Sequence, residues 1–410
     1  MRKDIISLLI VGLVLICSKQ VIYGQNYWIQ KSDFPGSSRV AHAVFTIGNY
    51  AYLGLGVDSS FYLTQEFWRY DPLTDVWTQV ADYGGGKRFW PVSFVIGNEG
   101  FVGLGHDTNG ISPAFPLHLD FWKYNPSLNN WTQVASFPGA GRMASIGFSS
   151  GGKGYIAFGH ISGATNYQDT WEYDPILDLW TQKANSPAVG RQENVALTVG
   201  SNVYIGLGSQ EPSGGKLDDW WQYDVISDVW TQMANFGGTA RFGCFGFAIG
   251  TELFVGGGVD GSASTYTGTF YGYNSLTNVW TQYASFPGLV REDALGFSLY
   301  GKGYIAVGRD GGTCYNDVWK YTPPFGVGIE EHSAVLSEFK VINNTLVVEV
   351  LNFGIDMVAI YNTSGQLVLK NTSVKGQNRI ELNLSTLSKG VYTVVVDAGK
   401  SKQSQKFLFD

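Results

Sequence analysis

The sequence predicts an all-β protein: a closed ring of six four-stranded sheets, completed by an outer strand from the N-terminal end, and behind it a small β sandwich. Three observations carry this. Of 410 residues, 53 are Gly and 15% are aromatic while only 15% are charged, the composition of many short strands joined by tight turns with large rings between the sheets. A Trp followed eleven residues later by an Arg occurs six times. After Tyr321 this repeat stops and Trp disappears.

At the N-terminus, Arg2 and Lys3 precede the apolar run Ile5 to Ile16, and the small residue Gly24 follows, which is the layout of a secretory signal peptide over residues 1–24 with Gln25 first in the mature chain. A lipoprotein signal would use Cys17, but Ile16 stands where such signals carry a small residue. No later segment has the length and apolarity of a membrane helix, so no transmembrane segment is expected once the signal is removed. The net charge of −7 offers no basic stripe for phosphates, which argues against a nucleic-acid partner.

The repeat occupies residues 25–321. Its pairs are Trp28 and Arg39, Trp77 and Arg88, Trp131 and Arg142, Trp180 and Arg191, Trp230 and Arg241, and Trp280 and Arg291. Fifteen residues after each Arg begins a small-apolar-Gly triplet, from Gly54–Gly56 through Ala306–Gly308. Nine residues before each Trp from the second onward lies a further aromatic, Trp68, Trp122, Trp171, Trp221 or Tyr271, and Trp319 supplies a sixth copy. Between these anchors the chain alternates as half-buried strands do, and Gly48-Asn49 and Asp71-Pro72 with Asp75 are turn formers. Each unit of about fifty residues is therefore two hairpins, four strands, one blade.

The order aromatic, Tyr-Asp-Pro, Trp, Pro and Arg, then a Gly-rich second strand resembles kelch repeats over residues 28–321, with Gly-Leu-Gly or Ala-Val-Gly where those repeats favour paired glycines. That resemblance, to the superfamily that includes galactose oxidase, implies a six-bladed kelch-type β-propeller. The phase predicts closure: the chain opens with a lone fourth strand at Trp28 and ends its repeats with a third strand at Trp319 to Tyr321, and the two fragments complete one blade.

Residues 322–333, with prolines and glycines and no repeat, read as a linker. Residues 334–410 carry β-branched strands expected at 346–350, 357–361, 379–384, 391–396 and 405–409. The signals Ile360-Tyr-Asn-Thr-Ser-Gly365, Leu384-Ser-Thr-Leu-Ser-Lys-Gly390-Val-Tyr392 and the final Lys406-Phe-Leu-Phe resemble the type A sorting domain of type IX secretion, although the family's usual opening turn is replaced by Leu336-Ser-Glu-Phe. The resemblance implies export through the periplasm of a Bacteroidetes-like cell to the medium or the outer surface, with the secretion machinery as partner.

Strands alternate in direction, so the start of each first strand and the end of each second strand meet at one mouth of the central channel. Six arginines there invite an anion-binding ring, yet a residue that every blade carries is better explained by a need of every blade, such as bonding a neighbouring blade's carbonyls or carboxylates. The six tryptophans read as packing. Specific function should break the symmetry, which makes His42, Trp90, His106, His160, Glu193, Glu292, Asp293 and Arg309 the candidate ligand-binding residues. Asp58, Asp107, Asp260 and Asp310 share one offset but are also ordinary turn formers. The second blade carries an insertion, Asp107 to Asp120, with Phe115 and His118.

Five His and, past the signal, two Cys fall short of a recognisable copper set of the galactose-oxidase kind, and no metal, cofactor or catalytic residue is assigned. Cys244 and Cys314 sit in adjacent blades, where a disulfide and two thiols are both open. The expectation is a binding or interaction module for carbohydrate or protein. The alternative is a carbohydrate-active enzyme resembling sialic-acid epimerases (mutarotases), which need an acid/base pair and a basic pocket that Glu193 or Glu292 with nearby Arg could supply.

Overall fold

Alternation decides the strands: in Ala43–Ile47 the side chains of Ala43, Phe45 and Ile47 are buried while Val44 and Thr46 are half-buried. Equivalent first strands lie at Val92–Ile96, Ile146–Ser150, Val195–Val199, Phe245–Ile249 and Leu295–Leu299. Each turns into a second strand, such as Tyr50–Gly54, then a third, such as Phe67–Asp71, and a fourth, such as Val76–Val80, in one antiparallel sheet. In the sixth sheet the fourth strand is Tyr27–Lys31, paired with Val318–Thr322 so that Trp28 lies opposite Tyr321. The first strands pack side by side around the ring, the sixth against the first. The chain is thus all-β, a six-bladed propeller closed by its N-terminal strand. The structure, a computed structural model, describes residues 27–409 except 108–116, 162–164, 211–212, 262–264, 325–334, 343, 352–354, 363–365, 372–376, 378 and 399–400. The expected signal peptide, the lipidation alternative at Cys17, Phe115 and most of the expected linker lie outside the described residues.

Hydrogen bonds join each blade to the next at the mouth, and five of the six neighbouring pairs at the periphery as well. At the mouth, the glycine that closes each triplet donates its N–H to the carbonyl of the next blade's repeat Arg: Gly56 to Arg88 at 3.0 Å, Gly105 to Arg142, Gly159 to Arg191, Gly208 to Arg241, Gly258 to Arg291 and, across the closure, Gly308 to Arg39 at 3.3 Å. These glycines have φ between 76° and 99°, and a Cβ at Gly308 would stand 2.8 Å from the Glu292 carbonyl, so only glycine fits. At the periphery the indole N–H of Trp77, Trp131, Trp180, Trp230 and Trp280 donates to Ser32, Ala81, Ala135, Ala184 and Ala234 of the preceding blade. Beside each, an Asp or Asn in a left-handed turn, such as Asp178, accepts both from a Tyr hydroxyl of its own blade (Tyr173, 2.7 Å) and from a backbone N–H of the preceding blade (Ala135, 2.8 Å). The sixth blade, where the chain is interrupted, has no such turn, and Trp28 Nε1 and Tyr321 OH are buried with no partner among the described residues.

The repeat arginines are buried, and their bonds correct the expectation that they reach a neighbouring blade. Each side chain bonds within its own blade. Arg142 donates through Nε to Ala140 O (3.0 Å), through Nη1 to Phe158 O (3.1 Å), and through both terminal nitrogens to Asp169 (2.5 and 2.8 Å), with its guanidinium over the rings of Phe137 and Tyr167. Glu66, Asp120, Asp219 and Asp317 answer Arg39, Arg88, Arg191 and Arg291. The carboxylates of Asp120, Asp169, Asp219 and Asp317 also accept the indole N–H of Trp122, Trp171, Trp221 and Trp319. The reason for the inward turn is geometric: the guanidinium satisfies the carbonyl sixteen residues on, at the bend after the second strand, while the Arg backbone carbonyl makes the contact between blades.

The C-terminal part is a two-sheet sandwich. One sheet orders Val335–Ile342, Thr345–Leu351 and Arg379–Asn383; the other orders Leu367–Asn371, Ile355–Asn362, Gly390–Ala398 and Ser401–Phe409. Leu346, Val348, Ile380 and Leu382 from the first and Val358, Ile360, Val394 and Val396 from the second form one buried cluster. Two strands, Val335–Ile342 and Leu367–Asn371, were not expected from the sequence: the first is interrupted by a bulge between Leu336 and Glu338, and the second is a largely exposed edge.

Candidate functional site

Two residues after every repeat Arg the backbone turns into the left-handed region, with φ of 53° at Ala41, 49° at Trp90, 51° at Ala144, 52° at Glu193, 64° at Gly243 and 55° at Asp293. Such a φ is uncommon for a residue other than Gly, Asn or Asp. Here four backbone bonds tie these residues from blade to blade: Trp90 N–H to Ala41 O (2.8 Å), Glu193 to Ala144 (3.4 Å), Gly243 to Glu193 (3.2 Å) and Asp293 to Gly243 (2.8 Å). All six residues line one cavity of about 290 Å³ at the mouth of the channel. Around it small and functional side chains alternate: Ala41, Trp90, Ala144, Glu193, Gly243, Asp293.

The next residue of each blade completes the wall, with His42, Pro91, Ser145, Asn194, Cys244 and Ala294. Several polar atoms there are buried with no hydrogen-bond partner among the described residues: both ring nitrogens of His42, Trp90 Nε1, both amide atoms of Asn194 and Asp293 Oδ2. An unpaired buried polar atom costs about 1–3 kcal/mol, and six such atoms meet in this one cavity. Burial, with Arg39 adding to it, lowers His42 to about 3, which keeps the imidazole neutral, one nitrogen donating and one accepting.

At the sixth blade Glu292 and Arg309 are paired across the mouth hairpin, Arg309 Nε donating to Glu292 Oε1 at 2.9 Å. Arg309 Nη2 stands 3.8 Å from Asp293 Oδ2. Burial above all, and then the Glu292 charge, push the Asp293 carboxyl well above the usual carboxylate range, against the pull of Arg309. His106 packs its ring 3.8 Å from Phe89, and His160 meets Trp90 edge-on at 6.3 Å. Burial lowers both histidines, His160 to about 4.

Of the sequence candidates, His42, Trp90, Glu193 and Asp293 line the cavity, Glu292 and Arg309 form an ion pair at its edge, and His106 and His160 stand in the rim. Asn194 and Ser145, one residue further along, were missed; their signal was their offset from Arg191 and Arg142. Asp58 accepts from the backbone of Ser60 and Tyr62, and Asp260 from Thr239 and Thr265, as turn residues do. Cys244 and Cys314 are free thiols, and burial pushes Cys244 up to about 12. Among the described residues no cluster of three or more His, Cys, Asp or Glu could hold a metal ion, and no helix is long and apolar enough to cross a membrane.

A β-propeller with a polar, asymmetric mouth, followed by a separate β sandwich, is the class of protein that these elements define. Residues 342–410 match the family described as the secretion system C-terminal sorting domain. The sandwich is therefore a sorting tag of the type IX system, and the protein is exported to the medium or the cell surface. The solved structure titled "Structure of YjhT" shares the fold over 70% of this chain and 96% of its own, with a TM-score of 0.60 and 18% identity. No curated protein matches the sequence. The last propeller strand, Val318–Thr322, runs away from the mouth.

Proposed function

We propose that the exported propeller is a binding module that takes a carbohydrate end-on in the channel mouth. The observation that carries this reading is the set of buried, unpartnered donors and acceptors on His42, Trp90, Asn194 and Asp293 around a cavity of about 290 Å³. Neighbouring hydroxyls, each both donor and acceptor, suit a neutral imidazole and a primary amide, and an indole offers a flat apolar wall to a sugar ring. The kelch-like repeat leaves such groups free to vary, because the structural bonds are made by other residues.

The test is a thermal-shift screen of mono- and disaccharides on the mature chain, residues 25–410, followed by Trp fluorescence. A ligand that binds only the folded state raises its melting temperature. A hit should be lost in Asn194→Leu and kept in Leu276→Ser, whose exposed side chain lies in a turn at the opposite end. No hit in the panel counts against the carbohydrate and turns the search to protein ligands.

A second reading, an enzyme of the mutarotase kind, is favoured by one observation. Asp293, buried beside Glu292 and displaced toward neutral pH, is suited to give and take a proton near pH 7. Proton NMR of a freshly dissolved reducing sugar would test it: anomer interconversion faster than the spontaneous rate, and lost in Asp293→Asn, supports catalysis, and an unchanged rate rejects it.

A further inference from the structure

Resting on the carbohydrate reading, we propose that the mouth is built for a sugar bearing a free, protonated amino group, with the ammonium received between Asp293 and Glu193 and the ring hydroxyls by His42 and Asn194. Among the described residues that line the cavity the acids are Glu193 and Asp293, with no Lys or Arg, and an ammonium beside Asp293 would favour the ionised carboxylate that burial disfavours. His42 and Cys244, the titratable groups that share the wall, are neutral at physiological pH because both are buried. At the sixth blade the Arg309 charge is taken up by Glu292, which is buried and hydrogen-bonded to it. Three carboxylates, those of Glu193, Glu292 and Asp293, thus face one guanidinium.

The rim adds to the same sign. Asp58, Asp107, Asp260 and Asp310 stand at equivalent positions after the second strands, and the Lys216 ammonium donates to the carbonyl of Gly261. The cavity walls are of low dielectric, which focuses this field on whatever enters. The side chain of Asp293 is nine-tenths buried, its Oδ2 is without a hydrogen bond and Arg309 Nη2 stands 3.8 Å away, so an ammonium would give this oxygen the hydrogen bond that Arg309 does not make. The face of Trp90, in the same wall, attracts a cation as well. A carboxylated sugar would meet repulsion from both lining acids.

The alternation around the ring sets the size of the ligand. Between Trp90, Glu193 and Asp293 stand only Ala41, Ala144 and Gly243, so one pyranose has room between three functional side chains.

Isothermal titration of the mature chain with glucosamine, glucose, N-acetylglucosamine, N-acetylneuraminate and lysine tests this. Glucosamine should bind at least tenfold tighter than glucose or N-acetylglucosamine, and the preference should shrink with added salt. Asp293→Asn should erase the preference, bringing glucosamine to the affinity of glucose, and Asn194→Leu should weaken all the sugars alike. Equal binding of the amino, acetylated and neutral sugars overturns this inference and leaves the carbohydrate reading standing. N-acetylneuraminate binding above glucosamine overturns it too, and lysine matching glucosamine overturns the sugar half. Binding of none of them rejects both readings.

Discussion

Arg241 differs from the other repeat arginines in facing a hydroxyl where they face a carboxylate. Its Nη1 donates to Thr269 Oγ1 at 2.8 Å and its Nη2 to Thr239 Oγ1 at 3.0 Å, and Asp260 comes no nearer than 3.9 Å. Thr269→Asp installs the group that Asp169 provides for Arg142. Two charge-assisted bonds, each contributing about 1.5–3 kcal/mol, replace one bond to a neutral acceptor of about 1 kcal/mol. The new carboxylate gives up part of its hydration, as Asp169 does at 18% side-chain exposure, and the Thr267–Thr269 hydroxyl contact is lost. The net expectation is a gain of about 1–2 kcal/mol, a rise in melting temperature of roughly 2–4 °C in a domain of this size. All 13 tryptophans lie between residues 28 and 319, so Trp fluorescence follows the propeller without the sorting domain. Tyr271→Trp, which restores the indole donor of the other blades, should add to the gain. The mirror experiment, Asp169→Asn, leaves a buried guanidinium without its counter-charge and should cost about 3–5 kcal/mol. A neutral or destabilising Thr269→Asp, together with a cost below about 1 kcal/mol for Asp169→Asn, refutes the assignment of the Arg–carboxylate pairs as clasps of the blade.

Asp293 binds its proton more tightly folded than unfolded, so from the ordinary carboxylate pKa of 3.8 up to about 7 the unfolded state holds fewer protons and stability falls as pH rises. Asp293→Asn should therefore melt higher than the parent at pH 8 and alike at pH 4, as a pH series of melting curves will show. Trp28 packs its indole against Phe245, Phe270, Phe286 and Tyr321 at the closure, and Trp28→Ala should cost about 3–5 kcal/mol and open the ring to proteolysis near residue 27. Ala144→Trp places an indole where the backbone already has the φ of Trp90, and should abolish sugar binding with the melting temperature little changed. Intact mass should show two thiols without reductant, with Cys314 alkylated before Cys244, whose sulfur is buried and pushed up to about 12.

The repeat was legible because its bonds have fixed chain separations. The Arg guanidinium reaches a carbonyl sixteen residues on in every blade, so Trp, Arg and triplet stay in step. The carboxylate partner was hidden because its separation from the Arg runs from 26 to 32 residues as the loop between second and third strands changes length. Counted from the other side it is fixed, two residues before the third-strand aromatic, at Glu66, Asp120, Asp169, Asp219 and Asp317. The same count explains the exceptions: Thr269 stands before Tyr271, which has no indole donor, and the longer Glu66 leaves Trp68 Nε1 without a partner among the described residues. In the sandwich the bulge at Leu336 broke the alternation that marks a strand. At the mouth, the left-handed turn went unseen because Ala, Trp and Glu occupy it, and these residues carry no local signal for that conformation.

Strain at a functional site usually invites a functional reading, but here the outlier recurs in all six blades, three of which carry only Ala or Gly. Its cause is therefore architectural: the turn stands at the same place in every blade, and four backbone bonds tie one blade's residue to the next, whichever side chain is present. The consequence is chemical. A backbone held in this conformation brings the side chain to the channel wall, and changing that side chain leaves the Arg clasps, the indole bonds and the glycine contacts untouched. The residues that hold the blades and those that line the mouth are thus different and stand a few positions apart: Arg39 to Arg291 are uniform and buried, while Trp90, Glu193 and Asp293 differ and face one cavity. It also explains why the mouth can keep unpaired polar atoms that a core would not tolerate: their cost is borne by a frame whose own hydrogen bonds are made elsewhere.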